Sequence, residues 1–299
     1  MARKKKGHPR NDHRVGGSRK ERLPRVALLI ETSNEYGRRL LLGIRDYVRE
    51  HEAWSFQLGE QARGQTVPSW LSKWKGDGII GRIDDSSIEE AIRAVGVPVV
   101  NVSASGYGLV FPTVISDSEA IARAAADHLL ECGFTQFGYC GDPRFEWSKS
   151  HEKHFVQYLE DQGFSCHRFA GTKSAARHWG RALEELIAWV THLPKPIGVM
   201  ACYDLRGQQL LVACREAGIH VPDQLAVIGQ HNDETICEFC DPPLSSVIPN
   251  PRLAGYLAAS LLDRMLKGER VPGGVYRVPP IGVAARRSTD VVAVPDEDV

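Results

Sequence analysis

Acidic, amide and arginine side chains, with a few hydroxyl and aromatic ones, cluster directly after short apolar runs along this chain of 299 residues. Carboxylates accept and guanidinium groups donate two hydrogen bonds at once, and each hydroxyl of a sugar both donates and accepts. Aromatic rings stack on the weakly apolar C–H faces of a sugar. The set therefore predicts a site for a small polyhydroxylated ligand. Its members are Asn34, Tyr36, Arg82, Asp84, Ser103, Trp147, Asp204, Arg206, Asn232 and Asp233.

The apolar runs have the length and branched composition of strands that are buried on both faces. They occur at 26–30, 79–81, 98–102, 197–202 and 225–229, and segments with helical periodicity lie between them. Alternating strands and helices at this spacing predict an α/β fold with doubly wound parallel sheets. Ligands of such sheets bind beyond the carboxyl ends of the strands, where the polar set lies.

The length of the chain favours two lobes, because single hydrophobic cores stop growing near about 250–300 residues. The strand–helix pattern restarts near Phe137, so we expect the boundary between the lobes at 131–136. One lobe is predicted to comprise 26–133 with about 251–270, and the other 134–250 with about 271–290. Tails at 1–25 and 291–299 flank them, and we expect the ligand cleft between the two lobes.

The formal net charge is zero, but the charges are unevenly distributed. Residues 1–25 carry a net charge of +8, and the remainder carries −8. A basic segment on an acidic body favours contact with a polyanion such as nucleic acid. The segment has no aromatic residue that could stack on bases, which favours a solvated, disordered leader. Both interpretations stay open.

Sequence patterns for metals, cofactors and catalysis are missing. Cys237 and Cys240 form a lone C-x-x-C without the second pair that a zinc site needs. The sequence has neither a Walker loop nor a Gly-x-Ser-x-Gly elbow. Glu31, Thr32 and Ser33 follow the first strand, where a dinucleotide site has glycines. We therefore expect no metal, no cofactor and no enzymatic activity.

The composition predicts a globular protein of the cytoplasm. Hydrophobic residues make up 42% and charged residues 25% of the chain, which is usual for such proteins. No apolar run approaches the roughly 18 residues of a membrane-spanning helix. The run at 26–30 is also too short for the core of a signal peptide.

Several stretches resemble the effector-binding core of LacI/GalR-type repressors, namely VIGQHND at 227–233, PPLSSV at 242–247 and ARRST at 285–289. The chain is similar above all to the xylose operon regulators, in WKGDGII at 74–80, VPDQLAVIG at 221–229 and VPP at 278–280. The similarity covers roughly residues 25–290. It implies two lobes like those of type I periplasmic sugar-binding proteins. The segment from Gln230 to Asp233 departs from the Phe-Asp-Asp that is more usual in the family.

The resemblance implies a sensor that binds D-xylose in the cleft, works as a homodimer and shifts the dimer arrangement when the sugar binds. It also implies an AraC-type pair of helix-turn-helix motifs, which would begin near the position where this sequence ends, at Val299. Residues 1–25 lack the periodicity of a LacI-type headpiece. We therefore expect DNA contact through a module outside this sequence or only weakly through the basic tail, and no membrane partner.

Two alternatives of the same fold stay open. One is a sugar-binding protein that serves a transporter, and the other is an enzyme acting on a sugar or nucleoside, with Asp84 or Asp204 as general base. His151 and His154 share a helix face without a neighbouring nucleophile, and we interpret them as exposed or capping residues. If the sensor interpretation holds, we expect Asp204→Ala or Asp233→Ala to abolish sugar binding without unfolding the protein.

Overall fold

The computed structural model describes residues 22–60, 67–169, 171 and 178–291. These residues form two six-stranded sheets with apolar clusters on both faces, which confirms the predicted α/β fold. The strands of the first sheet are β1 (Arg25–Leu29), β2 (Ser55–Leu58), β3 (Gly78–Gly81), β4 (Val99–Asn101), β5 (Pro112–Ser116) and β11 (Gly274–Val278). Those of the second are β6 (Phe137–Cys140), β7 (Cys166–Arg168), β8 (Ile197–Ala201), β9 (Leu225–Gln230), β10 (Ser245–Ile248) and β12 (Gly282–Ala284). The helices are α1 (Glu35–Glu50), α2 (Ser86–Val95), α3 (Ser118–Glu131), α4 (Glu146–Asp161), α5 (Trp179–His192), α6 (Asp204–Glu216), α7 (Glu234–Phe239) and α8 (Pro251–Leu266).

In each sheet the parallel strands have their carboxyl ends at the same edge. The first sheet has the order β11–β5–β4–β3–β1–β2, and the second has the order β12–β10–β9–β8–β6–β7. All pairings are parallel except that of β10 with β12. Parallel register places Leu29 of β1 opposite Gly81 of β3, so the residues that follow these two strands meet at the same edge.

Helices α1 and α8 pack backbone against backbone on the first sheet. A Cβ atom at Gly43 of α1 would lie 1.9 Å from the carbonyl oxygen of Arg252, and one at Gly255 of α8 would lie 2.0 Å from that of Leu40. Glycine is therefore required at both positions, and α8 belongs to the first lobe although it follows the second lobe in sequence. Asn34 sets the start of α1, because its side chain accepts a hydrogen bond from the backbone N–H of Gly37 at 2.8 Å.

Two elements lie in a different lobe from the one that the sequence suggested. Helix α3, expected in the first lobe, packs on the second sheet through Ile121 and Ala125, which contact the cluster around Phe137. Strand β11, expected in the second lobe, pairs with β5 of the first, with Val275 opposite Thr113. The chain thus crosses between the lobes after β5, after β10 and between β11 and β12. Periodicity reveals a helix or a strand, but not the sheet that it joins.

The predicted tails fall almost entirely outside the described residues, with only 22–25 of the first and 291 of the second inside. Within the described part of the chain, no helix combines the length and the apolar character that crossing a membrane needs. In the same ranges, no group of three or more histidine, cysteine or acidic side chains is placed to hold a metal ion.

Candidate functional site

A cavity lies between the two lobes at the carboxyl ends of their strands, and we call it the inner cavity. Its lining from the first lobe includes Asn34, Tyr36, Arg82 and Ser116, and from the second lobe Trp147, His151, Gln230 and His231. The space free of protein atoms, including the part open to solvent, is about 540 Å³. Four of the ten predicted site residues therefore meet here, and they come from both lobes.

A second space, the outer cavity, adjoins the inner one. Asn34, Tyr36 and His231 line both, so the two are continuous. The outer cavity is larger, at about 1230 Å³ including its open part. The second lobe contributes most of its remaining lining, with Arg144, Phe145, Tyr203, Asp204, Leu205, Asp233 and Ile236.

Three buried polar atoms at the inner cavity have no hydrogen-bond partner among the described residues. They are Nε of Arg82, Nδ1 of His151 and Oε1 of Gln230, and all three side chains line this cavity. Gln230 is 1% exposed and His151 is 4% exposed, so bulk water does not solvate them freely. The only other such atom in the described part of the chain is Nε1 of Trp74. Buried polar groups are normally paired, so their concentration here indicates a polar ligand.

Arg82 follows β3 and lies between two carboxylates of its own lobe. Its Nε is 3.7 Å from Oε1 of Glu31, and its Nη2 is 3.5 Å from Oδ1 of Asp84. These separations are too long for strong hydrogen bonds. Burial acts to lower the pKa of Arg82, but the charges of Asp84 and Glu31 outweigh it and raise the pKa, so the guanidinium is charged. Glu31 also accepts a hydrogen bond from the side-chain amide of Asn34.

Asp84 and Ser103 form a pair behind Arg82, where the hydroxyl of Ser103 donates to the carboxylate. Neither residue lines the inner or the outer cavity. The structure thus places them outside both cavities, and their contact with a ligand stays a prediction. Their remaining connection to the site is the contact of Asp84 with Arg82.

Asp204 and Asp233 line the outer cavity, but both serve as internal hydrogen-bond acceptors. Asp204 is 1% exposed, and its oxygens accept from the hydroxyl of Ser246 at 2.6 Å and from the backbone N–H of Asp233 at 2.7 Å. Burial raises the pKa of Asp204 to about 7, although these two hydrogen bonds act in the opposite direction. Asp233 caps α7, with Oδ1 accepting from the N–H of Ile236 at 3.4 Å.

Arg206 and Asn232 line neither cavity, contrary to the sequence prediction. The guanidinium of Arg206 turns into the second lobe, where Nε donates to the carbonyl of Gly141 at 3.0 Å and Nη1 donates to Gln209 at 2.9 Å. Oδ1 of Asn232 accepts from Nη1 of Arg286 at 3.0 Å. Protein partners thus occupy both side chains.

His231 takes the place at the cleft that the sequence assigned to Asn232. Its φ is 111°, and that of Asn232 is 48°, both in the region that non-glycine residues rarely adopt. This backbone turns the imidazole towards Tyr36, Trp147 and Tyr203, at ring-centroid distances of 5.3, 5.9 and 6.4 Å.

Sequence reasoning did not assign Gln230, His231 or His151 to the site, although all three line the inner cavity. The departure of the segment 230–233 from the usual family pattern was a signal for the first two. The interpretation of His151 as exposed or capping was wrong, since it is buried against Trp147, with ring centroids 5.9 Å apart.

Comparisons with known proteins identify the family. A model of the XylR N-terminal domain matches residues 25–112, and one of the periplasmic binding protein-like domain matches 126–289. The xylose operon regulatory protein of Escherichia coli K12 is 33% identical over 92% of this chain and 72% of its own length. The chain belongs to the xylose operon regulators. The corresponding protein of Haemophilus influenzae is 30% identical over 92% of this chain and 73% of its own.

A solved structure of the xylose-binding transcription activator XylR superimposes on this chain with a TM-score of 0.81. It is 31% identical and covers 93% of this chain and 72% of the other. The resemblance seen in the sequence and the two-lobed fold are thereby confirmed. As a member of this family, the chain is a sugar-sensing regulatory domain, and these relatives are transcription regulators.

Proposed function

We propose that the chain senses D-xylose for a DNA-binding transcription regulator and that the sugar binds in the inner cavity. The observation that carries this proposal is the convergence of Arg82, His151 and Gln230, whose unpaired buried atoms belong to side chains that line one small interlobe space. Its restricted volume suits a monosaccharide, and the family to which the chain belongs supports xylose as the first candidate.

The donor and acceptor inventory of the inner cavity supports a sugar as its ligand. Nε–H of Arg82 can only donate, Oε1 of Gln230 can only accept, and the imidazole of His151 does either according to its tautomer. A sugar hydroxyl fills all three roles. Leaving a buried polar atom unpaired costs about 1–3 kcal/mol, so three new hydrogen bonds in this position favour the bound state.

Aromatic side chains from both lobes lie at the inner cavity and could stack on the faces of a sugar ring. Tyr36 belongs to the first lobe, and its hydroxyl is 3.0 Å from Oγ of Ser116, which fixes the ring. Trp147 belongs to α4 of the second lobe. We assign stacking on the sugar to these two residues, with His231 between them.

Because the ligand would contact both lobes, its binding favours the arrangement in which they are close together. A ligand shifts such an equilibrium only by its differential affinity for the two arrangements. We propose that this shift changes the arrangement of a homodimer in the cytoplasm. DNA contact is assigned to a separate module, or weakly to the basic segment 1–25, of which 1–21 lie outside the described residues.

Isothermal titration calorimetry with D-xylose tests the proposal, with L-arabinose, D-ribose and D-glucose as comparison sugars. We expect one site per chain and the tightest binding for D-xylose. Light scattering after size exclusion, with and without D-xylose, tests the dimer. The absence of heat with every pentose would overturn the sensing proposal, and a monomer under both conditions would overturn the dimer.

A further inference from the structure

The outer cavity is continuous with the inner one and is not needed to hold a single pentose. It has about 1230 Å³ of space against about 540 Å³ for the inner cavity. Asn34, Tyr36 and His231 stand at the junction, since they line both spaces. A ligand with its first ring in the inner cavity would therefore reach the outer cavity by passing these three residues.

The polar wall of the outer cavity is held rigidly. Three hydrogen bonds of 2.5–3.2 Å join the guanidinium of Arg144 to the buried carboxylate of Asp142. The same guanidinium lies over the ring of Phe145, 5.2 Å from its centroid. Phe145 in turn stacks on Trp147 at 5.0 Å with an interplanar angle of 14°. These contacts fix the position of Arg144 before any ligand arrives.

Two aliphatic side chains also line the outer cavity. Leu205, at the start of α6, is 42% exposed and lines the outer but not the inner cavity. Ile236 of α7 is half-buried and lines the same cavity. Aliphatic side chains, a fixed guanidinium and the carboxylate of Asp233 line the same space. This combination matches a ring that has apolar C–H faces and a rim of hydroxyl groups.

We propose that the outer cavity is a second sugar subsite and that the chain binds a pentose disaccharide with one ring in each cavity. This inference rests on the proposed function, because it takes the inner cavity as the site of the first ring. The linkage between the rings passes Asn34, Tyr36 and His231. Arg144 and Asp233 contact hydroxyl groups of the second ring, and Leu205 covers one of its faces.

The experiment compares D-xylose with β-1,4-xylobiose by calorimetry, on the wild-type chain and on Leu205→Trp. We expect xylobiose to bind about tenfold more tightly than D-xylose, or about 1.4 kcal/mol. Leu205→Trp places an indole ring in the outer cavity where the second sugar ring would lie, so it weakens xylobiose at least about tenfold and leaves D-xylose within about twofold. Leu205→Arg, which adds a second cation to the lining that contains Arg144, is also expected to weaken xylobiose binding. Methyl β-D-xyloside, which lacks the second ring, binds like D-xylose.

Leu253→Trp is the matched control, because Leu253 is 46% exposed on α8 and lines neither cavity. It changes neither affinity, and thermal unfolding confirms that all variants are folded. Binding of D-xylose with weaker or no binding of xylobiose overturns the second subsite and leaves the proposed function intact. Equal weakening of both sugars by Leu205→Trp also overturns it. The absence of heat with both sugars overturns the proposed function as well.

Discussion

The hydroxyl of Ser246 donates a hydrogen bond of 2.6 Å to Oδ1 of Asp204, in the buried wall of the outer cavity. Oδ2 of the same carboxyl accepts from the backbone N–H of Asp233 at 2.7 Å, and Oγ of Ser246 also accepts from the N–H of Asn232 at 3.0 Å. The pair thus joins the end of β8, strand β10 and the loop that carries His231. We interpret Asp204 as a residue that positions this loop, and we expect the sugar to respond to it indirectly.

Asp204→Asn changes the pH dependence of stability in a defined direction. Burial raises the pKa of Asp204 to about 7 from a usual value of 3.8. Between these two pH values the folded chain therefore keeps a proton that the unfolded chain has already released. The stabilising contribution is therefore complete below pH 3.8 and is lost as the pH rises to about 7. Relative to the variant, we expect the wild-type free energy of unfolding to fall by up to about 1.4 kcal/mol per pH unit in this window.

Urea denaturation of both proteins at intervals across this window provides the measurement. Because the other titrating groups are common to the two chains, the difference between the curves isolates Asp204. Curves that run parallel would refute a buried, proton-binding carboxyl at this position.

The buried His151 should make the protein less stable as the pH falls, which is opposite to the effect expected of Asp204. Burial, reinforced by the charge of His154, lowers the pKa of His151 to about 4 from a usual 6.5. The unfolded chain then takes up a proton that the folded chain does not, so stability falls as the pH drops from 6.5 to about 4. His151→Gln should remove part of this loss and should also weaken sugar binding. His192→Gln, at an exposed position, is the control; a loss of acid stability as steep in His151→Gln as in His192→Gln would contradict the assignment.

Gln230→Leu should weaken sugar binding while leaving the stability of the fold almost unchanged. Oε1 of Gln230 has no partner in the described protein, so its removal costs no internal hydrogen bond at that atom. We expect the free energy of unfolding to change by less than about 1 kcal/mol while sugar affinity falls by a factor of about 10–100. Calorimetry and thermal unfolding measure the two effects. Gln157→Leu, on the exposed side of α4, is the matched control, and comparable affinity in the two variants would remove Gln230 from the site.

Arg286→Lys tests the support of the loop that carries His231. The guanidinium donates to Asn232 at 3.0 Å, to the carbonyl of Leu244 at 3.0 Å and to Glu238 at 2.7 Å. Lysine keeps the charge but cannot reproduce this planar fork. We expect a loss of about 1–2 kcal/mol in stability and a roughly threefold to tenfold loss of sugar affinity.

The neighbouring Arg287 is exposed, so Arg287→Lys provides a control with the same chemical change. The two variants are compared by urea denaturation and by calorimetry with D-xylose. If Arg286→Lys binds the sugar like the control, the positive-φ conformation of His231 does not depend on this arginine.

Much of the architecture could be predicted from local sequence. Buried parallel strands produce continuous apolar runs, and helices produce a period of 3.6, so the sequence predicts the alternating strands and helices and the α/β class. Residues that follow such strands must lie at the ligand edge, and Asn34, Tyr36, Arg82 and Trp147 do line the inner cavity. Their contact with a sugar stays a prediction.

The sequence alone determined which loops face the cleft, because strand direction decides this. Only the tertiary structure decided which side chain of each loop enters it. After β9 the backbone turns His231 inwards, and Asn232 is held by Arg286, 54 residues further along the chain. After β8, Asp204 is drawn inside by Ser246, 42 residues away. Adjacent loop residues point in different directions, and partners distant in sequence select among them, so neither local pattern nor residue type reveals the outcome.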